Sequence, residues 1–506
     1  MTVAAAHPTI ELVPLGTYAT GIYAAGAAEI VAHDPVSQRL YVVNGAGRSI
    51  DVLDMSDPAN LLLLFSIDLS PYGQAANSVA VHNGVVCAAV ENVDKQAPGS
   101  AVFFDTDGKF LKKVTVGALP DMVTFSPNGN WVLIANEGEP DDDYTNDPEG
   151  SVSIIDMRFG VSGLTQESVR TAGFNTFNDT VLDPSVRIFG PGAPVAEDME
   201  PEYITISQDS RTAWVTLQEN NALAIIDIHE SRVTDIVGLG FKDWNLPGNT
   251  LDASNEDAGI NITNWPVLGM YLPDSIASYQ VKGETFIITA NEGDSRDYSG
   301  FSEEARVKDI LLDPDYFQNA AELQDKARLG RLKITTTRGD ADGDGEFEAL
   351  YAYGARSFSI WTADGIQVFD SGGELEQVTA DYYPDVFNSD EEYDTFDGRS
   401  DDKGPEPEGL VIGRAFGRVY AFVGLERIGG IMVYNVSDPA APYFVQYINT
   451  RNFSRDPLIE PAGNVSPEGI CYIKAENSPT GNPLLTVAYE ICGTTTVFEV
   501  REKILP

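Results

Sequence analysis

Fourteen positions in this 506-residue chain combine residue type and spacing in a way that can support chemistry. Seven open a short apolar run: Glu29, Asn77, Asp121, Glu202, Asp274, Glu408 and Glu468. Seven close the apolar run that follows: Asn44, Glu91, Glu137, Glu219, Glu292, Glu426 and Glu490. Twelve of the fourteen are carboxylates, although only 77 of 506 residues are Asp or Glu, so chance placement is a poor account. Like charges gathered at a mouth of low dielectric repel unless a cation compensates them. Oxygen donors of this kind suit a hard ion, Ca2+ above all, and Glu137, Glu202, Glu219, Asp274, Glu292, Glu408, Glu468 and Glu490 are the expected ligands. The competing reading is that the acids cap turns by accepting backbone N–H bonds. Imidazole-ligated metals are disfavoured, because His7, His33, His82 and His229 fall outside the fourteen positions.

Basic residues near these acids are few. Arg296 follows Glu292, Lys403 precedes Glu408, and Arg427 adjoins Glu426. A metal flanked by Arg or Lys can bind a phosphoryl group or another oxyanion, the metal activating water and the cation stabilising developing charge. Arg296 is the first choice for that contact, with Arg356, Lys403 and Arg427 in reserve. The plainer alternative for each is an ion pair tying a loop to a strand. A separate cluster, Asp340, Asp342, Asp344 and Glu348, alternates acids ahead of a glycine turn, as calcium loops do. It departs from an EF-hand, since the twelfth position from Asp340 is Tyr351 rather than Glu. No GxSxG elbow, HExxH helix or phosphate-cradling glycine loop is present, which weakens serine hydrolase, zinc peptidase and nucleotide-binding readings.

The elements that would position these acids recur with them. Each pair of apolar runs is followed by a third with alternating pattern: SIDVLDM from Ser49, SAVFFD from Ser100, SVSIID from Ser151, ALAIID from Ala222, SFSIW from Ser357, GIMVYN from Gly430 and TTVFEV from Thr495. Hairpin signals such as Asn83-Gly84 and Ser126 to Asn130 separate the first and second runs. A fourth run usually follows. Four antiparallel strands repeated seven times predict an all-β, seven-bladed β-propeller, a single domain over 1–506. The last copy ends without a fourth strand, so Thr9 to Tyr18 is expected to close the ring as the outer strand of the last blade. Equivalent residues would then ring one axis. Repeat starts lie 48, 44, 81, 72, 134 and 60 residues apart, and the excess falls in insertions at about 138–200, 229–272 and 293–407.

Composition bounds the partners. With 32 Lys and Arg against 77 acids, the net charge of -45 disfavours nucleic acid. Hydrophobic residues make up 43%, enough for a core throughout. Cys87, Cys471 and Cys492 are too few for a disulfide scaffold, although Cys471 and Cys492 could pair. No apolar run reaches the roughly 18 residues of a membrane span, and Met1 to Ala6 lack secretory-signal character. A cytoplasmic chain, a processed chain and export without an N-terminal signal all remain open.

Long segments resemble a known family. LPDMVTFSPNGNWVLIANEGEP from Leu119, the stretch from Gly240 to Ala277, ANEGDSRDY from Ala290, GDADGDGEFEALYAYGARSFSIW from Gly339 and DDKGPEPEG from Asp401 are similar to choice-of-anchor I domains. That family includes bacterial extracellular proteins and mesenchyme-specific cell-surface glycoproteins of biomineralising animals. The resemblance implies an extracellular or cell-surface propeller. Some bacterial relatives are called atypical alkaline phosphatases, so it also implies hydrolysis of small phosphate esters. The PEG and NEG motifs resemble metal-dependent propeller phosphatases that use calcium with iron and a cysteine ligand; such a second metal, Fe3+, would direct attention to Cys471, which follows Glu468-Gly-Ile. A non-catalytic calcium-binding surface or matrix protein, acting in adhesion or biomineralisation, is the alternative.

Overall fold

A computed structural model describes residues 8–504; the Met1–Ala6 segment and His7 lie outside the described residues. Among the described residues the regular structure is mostly antiparallel β-strand, with three short α-helices, the longest at Glu374–Tyr382. Seven sheets have four strands each, and in every one the strands are hydrogen-bonded in chain order, except that the seventh borrows its outer strand from the N-terminus. The first sheet is typical: Val31–Asp34, Arg39–Asn44, Ser49–Asp54 and Leu62–Asp68. Its second and third strands are buried on both faces, while the outermost is largely exposed. Burial on both faces is why these runs read as continuous Val, Leu and Ile rather than as strict alternation.

Pro8–Ala19 pairs antiparallel with Thr494–Ile504 from Pro8–Ile504 to Ala19–Thr494, slipping once between Pro14 and Gly16. At the slip, a Cβ on Gly16 would stand 2.6 Å from the Pro58 carbonyl oxygen, so only glycine fits that close approach.

The extra chain in the third to fifth repeats is ordered. The ranges expected as insertions also hold regular sheet strands, among them Ser151–Asp156, Arg232–Gly238 and Ser357–Thr362. What remains builds a five-stranded sheet in the order Phe241–Asp243, Leu268–Met270, Tyr351–Ala352, Lys333–Thr335, Glu304–Arg306. It has an apolar core of its own around Trp244, Trp265, Leu329, Leu332 and Leu350. Side chains of that size are worth about 1.5–3 kcal/mol each when fully buried, enough for the added segment to hold its shape. All three cysteines are unpaired, so Cys471 and Cys492 form no disulfide.

Candidate functional site

Five of the seven opening residues follow a proline: Pro120-Asp121, Pro201-Glu202, Pro273-Asp274, Pro407-Glu408 and Pro467-Glu468. Proline has no N–H to give a ladder and suits the first position of a strand. In four of these strands the pairing with the second strand slips directly after the proline, between Pro120 and Val123, Pro201 and Ile204, Pro407 and Leu410, and Pro467 and Ile470. The acid therefore sits in a bulge, free of the ladder and turned out of its plane. Before four of the five prolines stands a non-glycine residue with positive φ: Leu119 (43°), Leu272 (43°), Glu406 (50°) and Ser466 (63°). Such conformations cost on the order of 1–3 kcal/mol and cluster where function requires them.

The same carbonyls bring in the second set of acids. The N–H of Glu137 donates to Leu119 O at 3.0 Å, that of Glu426 to Glu406 O at 2.8 Å, and that of Glu490 to Ser466 O at 2.9 Å. Neighbouring first strands also crowd together at this end. A Cβ on Gly409 would lie 2.1 Å from Glu468 O, and one on Gly469 would lie 2.6 Å from Glu29 O. The glycine of the Pro-Glu-Gly triplet thus lets adjacent acids approach.

Together these elements enclose a cavity of about 360 Å³. Asp121, Glu202, Asp274, Glu408 and Glu468 line it from the first strands, and Glu137, Glu219, Glu292 and Glu426 from the second set. Seven of the eight acids expected as ligands are therefore on its wall; Glu490 is not. Lys403 and Arg427 line it as well. Three acids that the repeat pattern did not reach belong to the same site. Glu139 and Asp294 line the cavity, each two residues beyond a second-set acid in matching Ala-Asn-Glu-Gly-acid segments. Glu406 is fully buried beside it, and one oxygen from each of Glu292, Glu406 and Glu426 lies within 4.8 Å of the others.

Charge divides the wall in two. On one side Lys403 Nζ reaches Glu292 Oε1 at 2.6 Å and Glu406 Oε2 at 3.3 Å, while Arg427 bonds Glu406, Glu391 and Glu426. Burial opposes ionisation of Glu406, but Lys403, Arg399 and Arg427 outweigh it and hold its carboxyl at about 2. On the other side, among the described residues, no Lys, Arg or His makes an ion pair with Asp121, Glu137, Glu202, Glu219, Asp274, Glu408 or Glu468. Burial and mutual repulsion raise Asp121, Glu219 and Glu468 to about 7, and Glu29 beside them to about 8. Glu137, Glu202, Asp274 and Glu408 are pushed well above the usual carboxylate range by the same causes. One oxygen each of Glu202, Glu219 and Glu408 is buried without a hydrogen-bond partner.

The other expected residues lie elsewhere. Arg296 is 1% exposed and committed to the insertion: it pairs with Asp198 at 2.6 Å and Glu200 at 2.9 Å and lies over the Phe189 ring. Arg356 is equally enclosed, bonding Glu376 at 2.6 Å and the carbonyls of Asp252, Ser400 and Asp402. Proximity in sequence suggested Arg296 for the mouth, but its neighbours in space turn it inward. Neither arginine lines the cavity. Cys471 packs against apolar residues and is not among the described residues lining the cavity. Asp340, Asp342, Asp344 and Glu348 converge in a separate, mostly exposed loop, with one oxygen of each within 4.8 Å of the others.

An all-β chain of four-stranded sheets converging on one polar cavity is the form of a β-propeller. The chain belongs to the choice-of-anchor I domain family, whose model matches residues 29–439. Gigasin-3a of Magallana gigas is 34% identical over 195 residues, covering 35% of this chain and 67% of that protein. The mesenchyme-specific cell surface glycoprotein of Strongylocentrotus purpuratus is 28% identical over 290 residues, or 50% of this chain, and the match spans only 36% of the glycoprotein's own length. Among solved structures, the hydrazine synthase of Kuenenia stuttgartiensis is similar in fold, with a TM-score of 0.50 at 12% identity over 95% of this chain and 99% of that chain. The Cps50 (Swd1) β-propeller domain of Myceliophteria thermophila has a TM-score of 0.44 at 9% identity, covering 97% of this chain and 100% of that domain.

Proposed function

We propose that the seven sheets are blades of a closed ring, sealed by the N-terminal strand, and that its acidic cavity holds hard divalent cations, Ca2+ foremost, for the hydrolysis of phosphate esters outside the cell or at its surface. Contacts between the first strands support the ring, since each touches the next and the seventh touches the first. The observation that carries the functional reading is the cavity wall: eleven carboxylates against two cations, with buried carboxylate oxygens left unpartnered. The donors are oxygen throughout, and among the described residues no His or Cys lines the cavity, which fits a hard ion. Glu202, Asp274, Glu408 and Glu468 would hold it, with Asp121, Glu137 and Glu219 beside them. A bound cation of this kind polarises a phosphoryl oxygen and acidifies bound water. Lys403 and Arg427, held in place by Glu292 and Glu406, would orient the phosphoryl group from the opposite wall. The surface location is argued from the Strongylocentrotus purpuratus relative, a mesenchyme-specific cell surface glycoprotein.

A second reading, a non-catalytic calcium-binding surface protein, is favoured by the separate Asp340–Glu348 loop, which lies outside the cavity. Hydrolysis of phosphomonoesters and phosphodiesters, measured with Ca2+ added and with chelator, separates the two. Turnover that requires metal and falls in Glu408→Gln and Lys403→Met is the expected result. Calcium-dependent melting without turnover on any divalent metal would leave only the second reading.

A further inference from the structure

The far ends of the first strands enclose another cavity, of about 330 Å³, with a different chemistry. Four of those strands reach it, contributing Ile206, Tyr279, Ile412 and Tyr472 among others. Two cations, Arg414 and Lys474, are on its wall and no carboxylate is. In a chain with 77 acids and 32 bases, that wall runs against the composition. Among the described residues neither cation has a carboxylate within ion-pair distance: Arg414 gives one N–H to the Gln280 carbonyl, and both side chains are exposed. Between them the wall is prebuilt. The Tyr472 ring lies on Gly413, where a Cβ would come within 2.5 Å of it, and the Tyr472 hydroxyl donates to Arg414 O at 2.7 Å. Tyr279 is 5% exposed, and its hydroxyl is buried without any partner. Ser278, Gln280, Thr285 and Gln208 add neutral donors and acceptors. Asp438 and Glu476, the acids that act on the two phenols, are not among the residues lining the cavity.

We propose that this far cavity is a second binding site, for a small acidic sugar whose carboxylate or sulfate ester lies between Arg414 and Lys474 and whose ring hydroxyls meet Gln208, Gln280 and their neutral neighbours. Two cations fix the anionic group, and tyrosine rings, apolar on their faces and polar at the tip, match a ring that is apolar on its faces and hydroxylated at its edge. The volume is that of a small-molecule pocket. The site needs no metal and is independent of the acidic cavity.

Calorimetric titration of the full chain with glucuronate and with glucose 6-sulfate, both in chelator, tests it. Saturable binding of one or both is expected, with the stronger arm identifying the anionic group. Unsubstituted glucose should bind about tenfold more weakly, and Arg414→Gln and Lys474→Gln should each lose about tenfold. Glu408→Gln should bind as the parent chain does. Because Arg414 and Lys474 are exposed, these variants should melt with the parent, and a melting scan confirms that they are folded. The proposal is overturned if neither anion binds saturably at millimolar concentration, if glucose binds as well as they do, or if binding disappears in Glu408→Gln while surviving Arg414→Gln.

Discussion

One set of strands, two ends: the first strands of the seven sheets begin among eleven carboxylates and finish, in the four that reach the far cavity, beside two cations and no carboxylate. A fold that tolerates either charge at a strand terminus does not itself demand acids, so the fold alone does not account for their accumulation at one end. Backbone conformation tells the same story. At the far end Gln38, Asn83, Ser210, Lys282 and Phe416 take positive φ inside the turns that join first and second strands, where that conformation is ordinary. At the acidic end, Leu119, Leu272, Glu406 and Ser466 adopt it in front of proline, where no hairpin calls for it. Strain, desolvation and like-charge repulsion thus coincide at the acidic end, and the proposed cation would relieve the last two together.

The largest contrast should come from an arginine taken from each region. Arg296→Ala strands Asp198 and Glu200 in a buried site and should cost about 3–5 kcal/mol, whereas Arg414→Gln at the exposed far end should stay within about 0.5 kcal/mol. Chemical denaturation of the two variants decides it; a mild loss in Arg296→Ala would return that residue to candidacy at the mouth. Next in size is calcium itself. Free Ca2+ at a hundredfold excess over Kd should stabilise the parent chain by about 2.7 kcal/mol, and the gain should vanish in Glu408→Gln/Glu468→Gln but persist in Lys474→Gln.

The metal-free chain should also carry a pH signature. Folding raises Glu29 from 4.5 to about 8, Asp121 from 3.8 to about 7, and Glu219 and Glu468 from 4.5 to about 7. Between the unfolded and folded values the folded state binds more protons, so stability falls as pH rises. For these four groups the penalty is absent below about pH 4 and complete above about pH 8, and the carboxyls raised further, Glu137 and Glu408 among them, carry the decline to higher pH. Melting temperature in chelator should therefore decline across that window, and added Ca2+ should flatten the decline. A chelated protein whose stability rises from pH 5 to 8 would contradict the raised carboxyls.

Much of this architecture was legible in the sequence, and the reasons are physical. Strands such as Ser49–Asp54, Ser151–Asp156 and Ala222–Asp227 sit where their apolar runs placed them, because buried strands admit little else. The acids could be aligned because each occupies one position of a repeated unit, and seven of the eight singled out now share a wall. Glu139 and Asp294 lie beyond the repeat unit, so alignment of the repeats does not reach them; Glu139 stands out only as the first residue of the acidic run to Glu149, and the shared Asn-Glu-Gly-acid segment was a usable signal for both. So was the proline ahead of five opening acids. Glu406 is marked only as one member of the acidic tract from Asp381 to Glu408: it enters from the largest insertion through a left-handed turn that only the fold specifies. Arg296 was misplaced by distance along the chain, which says nothing of direction once a loop folds back on Asp198.

The smallest effect should come from the Asp340–Glu348 cluster, which lies outside both ends. In the Asp340–Glu348 loop the carboxylates already serve the backbone: Asp340 accepts from the N–H of Gly343 at 2.7 Å and of Gly345 at 3.0 Å, and Glu348 accepts from that of Ala341 at 2.5 Å. Gly343 and Gly345 take the positive φ that wraps the loop around its own oxygens. Water reaches most of these groups, so their repulsion is screened and the loop holds its shape without help. Asp342→Asn/Asp344→Asn should therefore move stability by no more than about 0.5 kcal/mol, in contrast to substitutions at the acidic mouth. If the loop is a calcium site, equilibrium dialysis should nevertheless count one bound ion fewer in this variant, with the stabilisation that depends on Glu408 and Glu468 unchanged. An unaltered stoichiometry would reduce the loop to a self-capped surface turn and leave the acidic mouth as the sole calcium site argued for.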